Sequence, residues 1–214
     1  MSVFHSKCDC RGFISIEGGD GAGKTTQIEL LTQALQRIGK KVKRVRDPGG
    51  TELGDRLRSL LLDRPIPIEL RAEALLFFAS RAQLVSEQIH PALLRGELVL
   101  TDRFTLSTVI YQGHAGGLDP AELWQAGNLA TGGIEPSLCF LLDIDPDSAS
   151  VRREGPTDHM ERKPKAFHTL VRNGFLAEAK AKERTIHVLN GGESVASLHE
   201  QILRKVLAHI GGCQ

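Results

Sequence analysis

Short apolar segments alternate along the chain with segments in which apolar residues recur every three or four positions. Five of the short segments have the length and composition of β-strands: residues 12–17, 41–46, 97–101, 138–144 and 185–189. Between the first two, four apolar residues share one face of a predicted helix: Ile28, Leu31, Leu35 and Ile38. Gly39 follows them and favours a helix end there. The alternation predicts a doubly wound α/β fold, in which helices flank a five-stranded parallel sheet.

Three further segments have helical spacing of their apolar residues: 70–89, 119–130 and 197–210. Pro91 is predicted to restart the chain after the long helix 70–89. Residues 152–164 differ, because they are charged and carry Gly and Pro near their centre. We predict a short mobile lid there, followed by a helix from Lys165. An ordinary solvated surface turn is the alternative.

Composition indicates an ordinary globular protein, with 41% hydrophobic and 25% charged residues. No repeat or linker divides the 214 residues, so we predict one domain, residues 12–214, after a flexible leader, residues 1–11. The 27 Lys and Arg residues nearly balance the 26 Asp and Glu residues, so no global field would recruit nucleic acid or an anionic membrane. Affinity for phosphate must therefore come from locally placed basic groups.

The start of the chain lacks the apolar stretch of a secretory signal, and the longest apolar run, residues 74–79, is too short to span a bilayer. We therefore expect a cytoplasmic location and no membrane partner. His5, Cys8 and Cys10 offer three metal ligands in the leader, but no second pair follows, and a reduced leader is the simpler interpretation. Cys139 lies in an apolar run and is predicted to be a core residue.

The strongest chemical signal is a glycine-rich phosphate-binding loop, residues 18–25, which matches the pattern G-x-x-x-x-G-K-[ST]. Its glycines would let backbone amides approach phosphate oxygens. A chance glycine turn is disfavoured, because a strand precedes the loop and a helix follows it. The order places the fold in the P-loop NTPase class. We predict that ATP contacts the loop and the start of the helix: Gly18, Asp20, Gly21, Ala22, Gly23, Lys24, Thr25 and Thr26.

Within this loop, Lys24 is predicted to contact the β- and γ-phosphates, and the Thr25 hydroxyl to ligate Mg²⁺. A second acid, Asp102, follows the buried strand 97–101 and would lie at the ligand-binding edge of the sheet. It would hold Mg²⁺ directly or through water, whereas capping of the next helix is the alternative. Arg103 beside it is suited to binding phosphate.

Two functional classes share such a loop, a GTPase switch and a small-molecule kinase. The Asn-Lys-x-Asp segment that reads guanine is absent from the sequence, which disfavours the switch. Phe77 and Arg81 lie four residues apart on the predicted long helix, a spacing that suits a ring stacked on a planar base beside a guanidinium group. Core packing of Phe77 is the alternative. The predicted lid could close over ATP and supply an arginine.

The ordered set of motifs resembles the thymidylate kinases, of the bacterial type, over nearly the whole chain after the leader. The matching segments are residues 13–18 leading into the phosphate-binding loop, 46–51 (Arg-Asp-Pro-Gly-Gly-Thr), 57–62, 76–83, 102–104, 107–108, 111–113 and 167–176. The resemblance implies ATP-dependent, Mg²⁺-assisted phosphorylation of dTMP to dTDP by a homodimer.

The resemblance also implies which side chains bind the acceptor: Asp47, Arg58, Phe77, Arg81, Arg103, Ser107, Thr108, Tyr111 and Gln112. Phe77 would stack on thymine, Gln112 would contact an edge of the base, and Tyr111 would lie under the deoxyribose. Arg58, Arg81 and Arg103 would bind the monophosphate or the base. Structural alternatives remain for several: Arg58 solvating a helix face, Tyr111 in the core, Gln112 on the surface, Ser107 and Thr108 as helix caps.

Catalytic roles would fall to Lys24, Arg103 and an arginine of the lid. Since Gly21 carries no basic side chain, the resemblance implies that Arg152 or Arg153 supplies the last of these. Asp20, inside the phosphate-binding loop, would face the acceptor sugar or its metal.

Four positions depart from the family pattern. Asp47 replaces a longer glutamate, Gly116 and His159 stand where arginines are common, and Phe175 replaces a tyrosine. Loss of fixed cations from a phosphoryl-transfer site weakens catalysis or phosphate binding. Two alternatives therefore stay open: a kinase for another nucleoside monophosphate or a deoxynucleoside, and a catalytically weakened nucleotide-binding homologue.

Overall fold

The computed structural model describes residues 10–63, 65–152, 159–160 and 162–211. Within these ranges five strands pair in parallel, in the order β2-β3-β1-β4-β5, and each lies within one residue of its predicted bounds. They are β1 Phe13–Glu17, β2 Val42–Arg46, β3 Leu98–Asp102, β4 Leu138–Asp143 and β5 Ile186–Asn190. The predicted five-stranded parallel sheet is confirmed, with β1 at its centre.

Alternation along the central strands divides the core between the two faces of the sheet. Ile14, Ile16 and Leu100 belong to a cluster that includes the buried leucines of helix α1 (Lys24–Arg37) and residues of α9 (Val195–Gly211). Phe13 and Val99 point to the opposite face and pack in a second cluster. Helices therefore cover both faces, as the doubly wound prediction requires.

The remaining helices follow in chain order: α2 Glu52–Asp63, α3 Leu70–Leu84, α4 His90–Leu94, α5 Thr105–Thr108, α6 Pro120–Thr131, α7 Pro146–Val151 and α8 Lys165–Ala181. Two π-helical segments, Val85–Ile89 and Val109–His114, continue α3 and α5. A short 3₁₀ turn, Cys10–Gly12, precedes β1. The sequence pattern did not predict α2, and only Gly54 and Leu61 are buried along it. Its leucines recur at helical spacing, so the sequence did carry a signal for α2 that our prediction missed: Leu53, Leu57, Leu60 and Leu61.

The predicted helix 70–89 is longer in the structure and does not end before Pro91. The chain passes from α3 through the π-helical segment Val85–Ile89 directly into α4. Pro91 lies in the first turn of α4, where proline is tolerated. The prediction that Pro91 restarts the chain was therefore wrong about the backbone path.

Other local predictions agree with the structure. Asp119 caps α6 by accepting a hydrogen bond from the Ala121 N–H at 2.7 Å. Gly39, with φ 79°, directly follows the end of α1. Cys139 is buried, as expected. His5 and Cys8 lie outside the described residues. Among the described helices, none has the length and apolar character needed to cross a membrane.

Candidate active site

The phosphate-binding loop leaves the carboxyl end of β1 and turns into α1 at the centre of the sheet. Gly18, Gly21 and Gly23 have φ values of 141°, 83° and 90°, a region that favours glycine. A Cβ atom on Gly18 would also lie 2.7 Å from the Leu142 carbonyl oxygen. Loop shape and helix start together form an anion-binding site of backbone amides.

Lys24, the first residue of α1, is buried in this loop and donates from Nζ to the Gly19 carbonyl oxygen at 2.9 Å. Burial, followed by repulsion from Arg103, lowers the pKa of Lys24 below its ordinary value. Both effects disfavour the charged amine. A polyphosphate in the loop would counter them, so the surroundings of Lys24 fit an anionic ligand.

A hydroxyl and a carboxylate converge beside the loop. Thr25 Oγ1 donates to Asp102 Oδ2 at 3.0 Å. Asp102 Oδ1 is buried and has no hydrogen-bond partner among the described residues. The N-cap of α5 is Phe104, so Asp102 does not cap that helix. Two hard oxygen ligands at one point, one of them with an unused buried oxygen, fit Mg²⁺.

Arg103 follows β3 in a left-handed conformation, with φ 70°, which is uncommon for a residue other than glycine. Its backbone N–H still donates to the Ile16 carbonyl oxygen at 3.2 Å, which extends the pairing of β3 with β1. Its guanidinium donates to the Gly18 carbonyl oxygen and to Ser107 Oγ, both at 3.1 Å, and pairs with Asp20. The turn therefore directs Arg103 back over the phosphate-binding loop.

Asp20 connects Arg103 to Tyr111. Burial would raise the pKa of Asp20, but Arg103, Lys24 and the Tyr111 hydrogen bond outweigh it and hold the pKa below its ordinary value. Asp20 therefore stays a carboxylate and accepts from the Tyr111 hydroxyl at 3.1 Å. Burial raises the pKa of Tyr111, so this phenol remains protonated. The Arg103 guanidinium lies 5.0 Å from the centre of the Tyr111 ring.

Glu17, the last residue of β1, stabilises the turn that follows β3. It accepts from the Phe104 N–H at 2.7 Å and from Ser107 Oγ at 2.6 Å. Burial raises the pKa of Glu17 to about 7, although Ser107 and Arg103 oppose the shift. The sequence contained one sign of this role, an acidic residue at the end of a predicted buried strand, but we had assigned Glu17 no function.

Arg81 is 2% exposed and forms the wall opposite the loop. Its Nε donates to Asp47 Oδ2 at 2.5 Å, and its Nη2 donates to Thr108 Oγ1 at 3.0 Å. The guanidinium carbon lies 5.3 Å from the Phe78 ring centre and 5.2 Å from that of Phe104. Burial outweighs the attraction of Arg81 and raises the pKa of Asp47. Nη1 is buried and lacks a hydrogen-bond partner in the described ranges.

Neighbouring phenylalanines on α3 have different surroundings. Phe78 is 4% exposed and belongs to a core cluster with Ala74, Val109 and Leu123. Phe77 is half-buried and lines a cavity instead. The core-packing alternative therefore describes Phe78 and not Phe77.

One cavity of about 380 Å³ joins the phosphate-binding loop to this wall. Most predicted site residues line it: Asp20, Gly21, Lys24, Thr25, Asp47, Arg58, Phe77, Arg81, Asp102, Arg103, Ser107, Thr108, Tyr111 and Gln112. Four more line it without having been assigned a role: Arg46, Pro48, Leu62 and Met160. Arg46 could have been found from sequence, because it ends β2 at the same edge of the sheet as Asp102.

The family model for thymidylate kinase matches residues 16–202 of this chain. The chain belongs to the thymidylate kinase family. The thymidylate kinase of Deinococcus radiodurans is 44% identical over 192 residues, which cover 89% of this chain and 93% of that protein. The thymidylate kinase of Caldanaerobacter subterraneus is 39% identical over 203 residues, covering 94% of this chain and 98% of that protein.

A solved structure gives the same assignment. The crystal structure of thymidylate kinase from Ehrlichia chaffeensis superposes with a TM-score of 0.75 and 32% identity, covering 91% of this chain and 97% of that chain. The predicted P-loop NTPase fold is thereby confirmed, and the chain is a nucleoside monophosphate kinase by family. The comparisons do not favour either of the two alternatives, a kinase for another acceptor or a catalytically weakened nucleotide-binding homologue.

Two departures from the family pattern have local explanations. A Cβ atom at Gly116 would lie 2.5 Å from the Gln112 carbonyl oxygen and 2.9 Å from that of Tyr111, so this backbone does not accommodate an arginine. Phe175 is buried, and its ring lies 6.3 Å from that of Tyr111 in an edge-on contact. A tyrosine hydroxyl at this position would be buried and would need a hydrogen-bond partner.

Some predicted site residues do not line the cavity. Arg152 follows α7 and donates from Nη1 to the Gly191 carbonyl oxygen at 2.7 Å. Arg153 lies outside the described residues. Gly18, Ala22 and Gly23 shape the loop, and Thr26 is exposed on α1.

Proposed function

We propose that this protein transfers the γ-phosphoryl group of ATP to dTMP, giving ADP and dTDP. The single observation that carries the proposal is the shared cavity, which has a phosphate-binding loop at one end and an aromatic and arginine-rich wall at the other. Phosphoryl transfer requires two anionic ligands face to face with the reacting groups in line. A switch protein would need only the first of these two ends.

The ends have complementary chemistry. Backbone amides and Lys24 suit a polyphosphate, which carries several charges in a compact group. On the opposite wall, Phe77 offers a flat surface for a base, while Arg81 and Arg58 supply guanidinium groups. Arg58 is held by donating from Nη1 to the Pro48 carbonyl oxygen at 3.0 Å. This arrangement supports a nucleoside monophosphate as the second ligand.

Residues between the two ends stabilise the transferred group. Arg103 lies between the loop and Tyr111, so its guanidinium is placed to bind oxygens of either nucleotide. Asp20 forms an ion pair with that guanidinium and holds it inside the cavity. Thr25 and Asp102 would hold Mg²⁺, which when bound neutralises charge on the β- and γ-phosphates. Catalysis here is electrostatic and positional, with no covalent intermediate.

Finer parts of the proposal rest on the family resemblance. We propose that an arginine of the lid, Arg152 or Arg153, completes the charge around the transferred group after ATP binds. We also propose a homodimer in the cytoplasm. Three helices each carry an exposed leucine that an assembly could cover: Leu53 on α2, Leu75 on α3 and Leu129 on α6.

The test is steady-state phosphorylation of a panel of acceptors with ATP and Mg²⁺. The panel contains dTMP, dUMP, dCMP, dGMP, AMP and thymidine. We expect the highest kcat/KM for dTMP. Preference for another acceptor would overturn the assignment of the substrate, and ATP binding without turnover on any acceptor would overturn the assignment as a kinase.

A further inference from the structure

A buried hydrogen bond joins α3 to the π-helical segment Val109–His114 behind the base-binding wall. Gln112 Nε2 donates to Glu73 Oε1 at 2.8 Å. Glu73 is 3% exposed and Gln112 is 1% exposed, so water does not compete for this bond. Glu73 lies one helical turn before Phe77 and two turns before Arg81, on the same face of α3.

Glu73 determines which end of the Gln112 amide is used. Glu73 Oε1 accepts from the Gln112 amide nitrogen, so the amide oxygen is the end turned away from Glu73. The bond is buried, and a hydrogen bond is stronger in such surroundings than in water. Gln112 also lines the cavity, and its Oε1 is the amide atom that the bond to Glu73 leaves unused.

A fixed amide oxygen distinguishes pyrimidine bases. Thymine carries a carbonyl oxygen at position 4 and an N–H donor at the adjacent ring nitrogen, whereas cytosine carries an amino donor and a bare ring nitrogen there. An oxygen accepts from the thymine N–H but repels the cytosine ring nitrogen. A rotated amide would present its NH₂ group and reverse that preference.

We infer that Glu73 is a positioning residue, which holds the Gln112 amide with its oxygen available to the base and so selects a thymine-type base over cytosine. This inference rests on the proposed function, because it assigns the specificity of the same acceptor pocket. Glu73 contacts Gln112 and need not touch the nucleotide. Its effect is therefore on the choice of base and not on the transfer step.

The test compares dTMP with dCMP as acceptors for the wild type and for Glu73→Gln. A glutamine at position 73 both donates and accepts, so it pairs equally well with either orientation of the Gln112 amide. We expect the ratio of kcat/KM for dTMP to that for dCMP to fall by about tenfold or more, which corresponds to about 1.4 kcal/mol. The change should lie in the KM for dTMP, with kcat within about threefold of wild type, because the loss is one of binding.

Glu135→Gln is the matched control. Glu135 is a partly buried glutamate that also accepts a hydrogen bond, from Thr105 Oγ1 at 2.9 Å. It does not line the cavity. The same substitution there should leave the ratio between dTMP and dCMP unaltered. A wild-type ratio retained in folded Glu73→Gln would overturn the inference.

A second variant covers the case in which Glu73→Gln fails to fold. Glu73→Met keeps the volume and removes the acceptor, so it should also lower the ratio between dTMP and dCMP. If both single variants unfold while the Glu73→Met, Gln112→Met double variant folds and keeps the wild-type ratio between dTMP and dCMP, the pair serves stability alone and the inference is wrong. Failure of wild-type protein to prefer dTMP would instead contradict the proposed function.

Discussion

The two ends of the cavity are built by different means: the proposed donor end at the phosphate-binding loop and the proposed acceptor end at the wall around Arg81. At the donor end, eight consecutive residues, 18–25, present backbone amides whose positions depend on glycine conformations. At the acceptor end, side chains from α2, α3, α5 and the following π-helical segment meet in space. Two of them are held by carboxylate side chains: Arg81 by Asp47, and Gln112 by Glu73.

The difference determines where substitutions should act. Backbone recognition at the donor end depends on few side chains, so substitutions there affect the ligand directly. Recognition at the acceptor end also depends on carboxylates that hold these side chains, and one of them, Glu73, does not line the cavity. Specificity for the base should therefore be changed more easily from outside the cavity than affinity for ATP.

The largest effect is expected at the donor end. Lys24→Ala should lower kcat by about 1000-fold or more, because it removes a fixed cation from the charge that develops during transfer. The fold should not suffer, since burial already disfavours the charged form of Lys24. Turnover and melting temperature measure the two effects separately.

Lys40→Ala is the control for this variant, because Lys40 is exposed beyond the opposite end of α1. It should leave both quantities at their wild-type values. Turnover of Lys24→Ala within tenfold of wild type would show that the loop does not act on the transferred phosphate.

A pair of neighbouring alanine variants tests the acceptor end. Phe77→Ala should raise the KM for dTMP through loss of base stacking, which is worth about 1–3 kcal/mol, and should leave stability nearly unchanged. Phe78→Ala should instead destabilise the fold by about 3–5 kcal/mol, as buried aromatic residues do. Nucleotide kinetics and chemical unfolding of both variants give the comparison. An unchanged KM in Phe77→Ala together with a loss of stability like that of Phe78→Ala would place Phe77 in the core.

The smallest expected effect is a change of the free energy of unfolding with pH, caused by the carboxyl group of Glu135. Burial raises the pKa of Glu135 from 4.5 to about 7, against the opposing Thr105 hydrogen bond. Between these values the folded protein keeps a proton that the unfolded chain has released, so rising pH lowers the free energy of unfolding in this window. Glu135→Gln cannot ionise, and it should be more stable than wild type at pH 8 by about 1–3 kcal/mol. Urea unfolding at pH 4.5 and pH 8 measures this, and equal differences at both pH values would contradict the shift.

The sheet and the donor end could be predicted because their signals are local. Strand bounds were correct to within one residue, since a buried parallel strand is a short apolar run between turns. The phosphate-binding loop is one contiguous segment. The positions of its glycines, Lys24 and Thr25 relative to one another therefore follow from the local backbone. At the acceptor end, Phe77 and Arg81 could be paired by helical spacing alone.

The carboxylates that hold the side chains of the site in place could be identified only from the tertiary structure. Glu73 and Gln112 are 39 residues apart, and Glu17 reaches Ser107 across 90 residues, so no sequence spacing relates them. Local pattern also could not separate Phe77 from Phe78, because either ring could face the core until the packing of α3 against α6 was known. Amino-acid sequence by itself determined the sheet, the phosphate-binding loop and the family. Burial set the orientation of Arg81 and Gln112 in the acceptor pocket, because most buried donors pair with an acceptor wherever the fold places one.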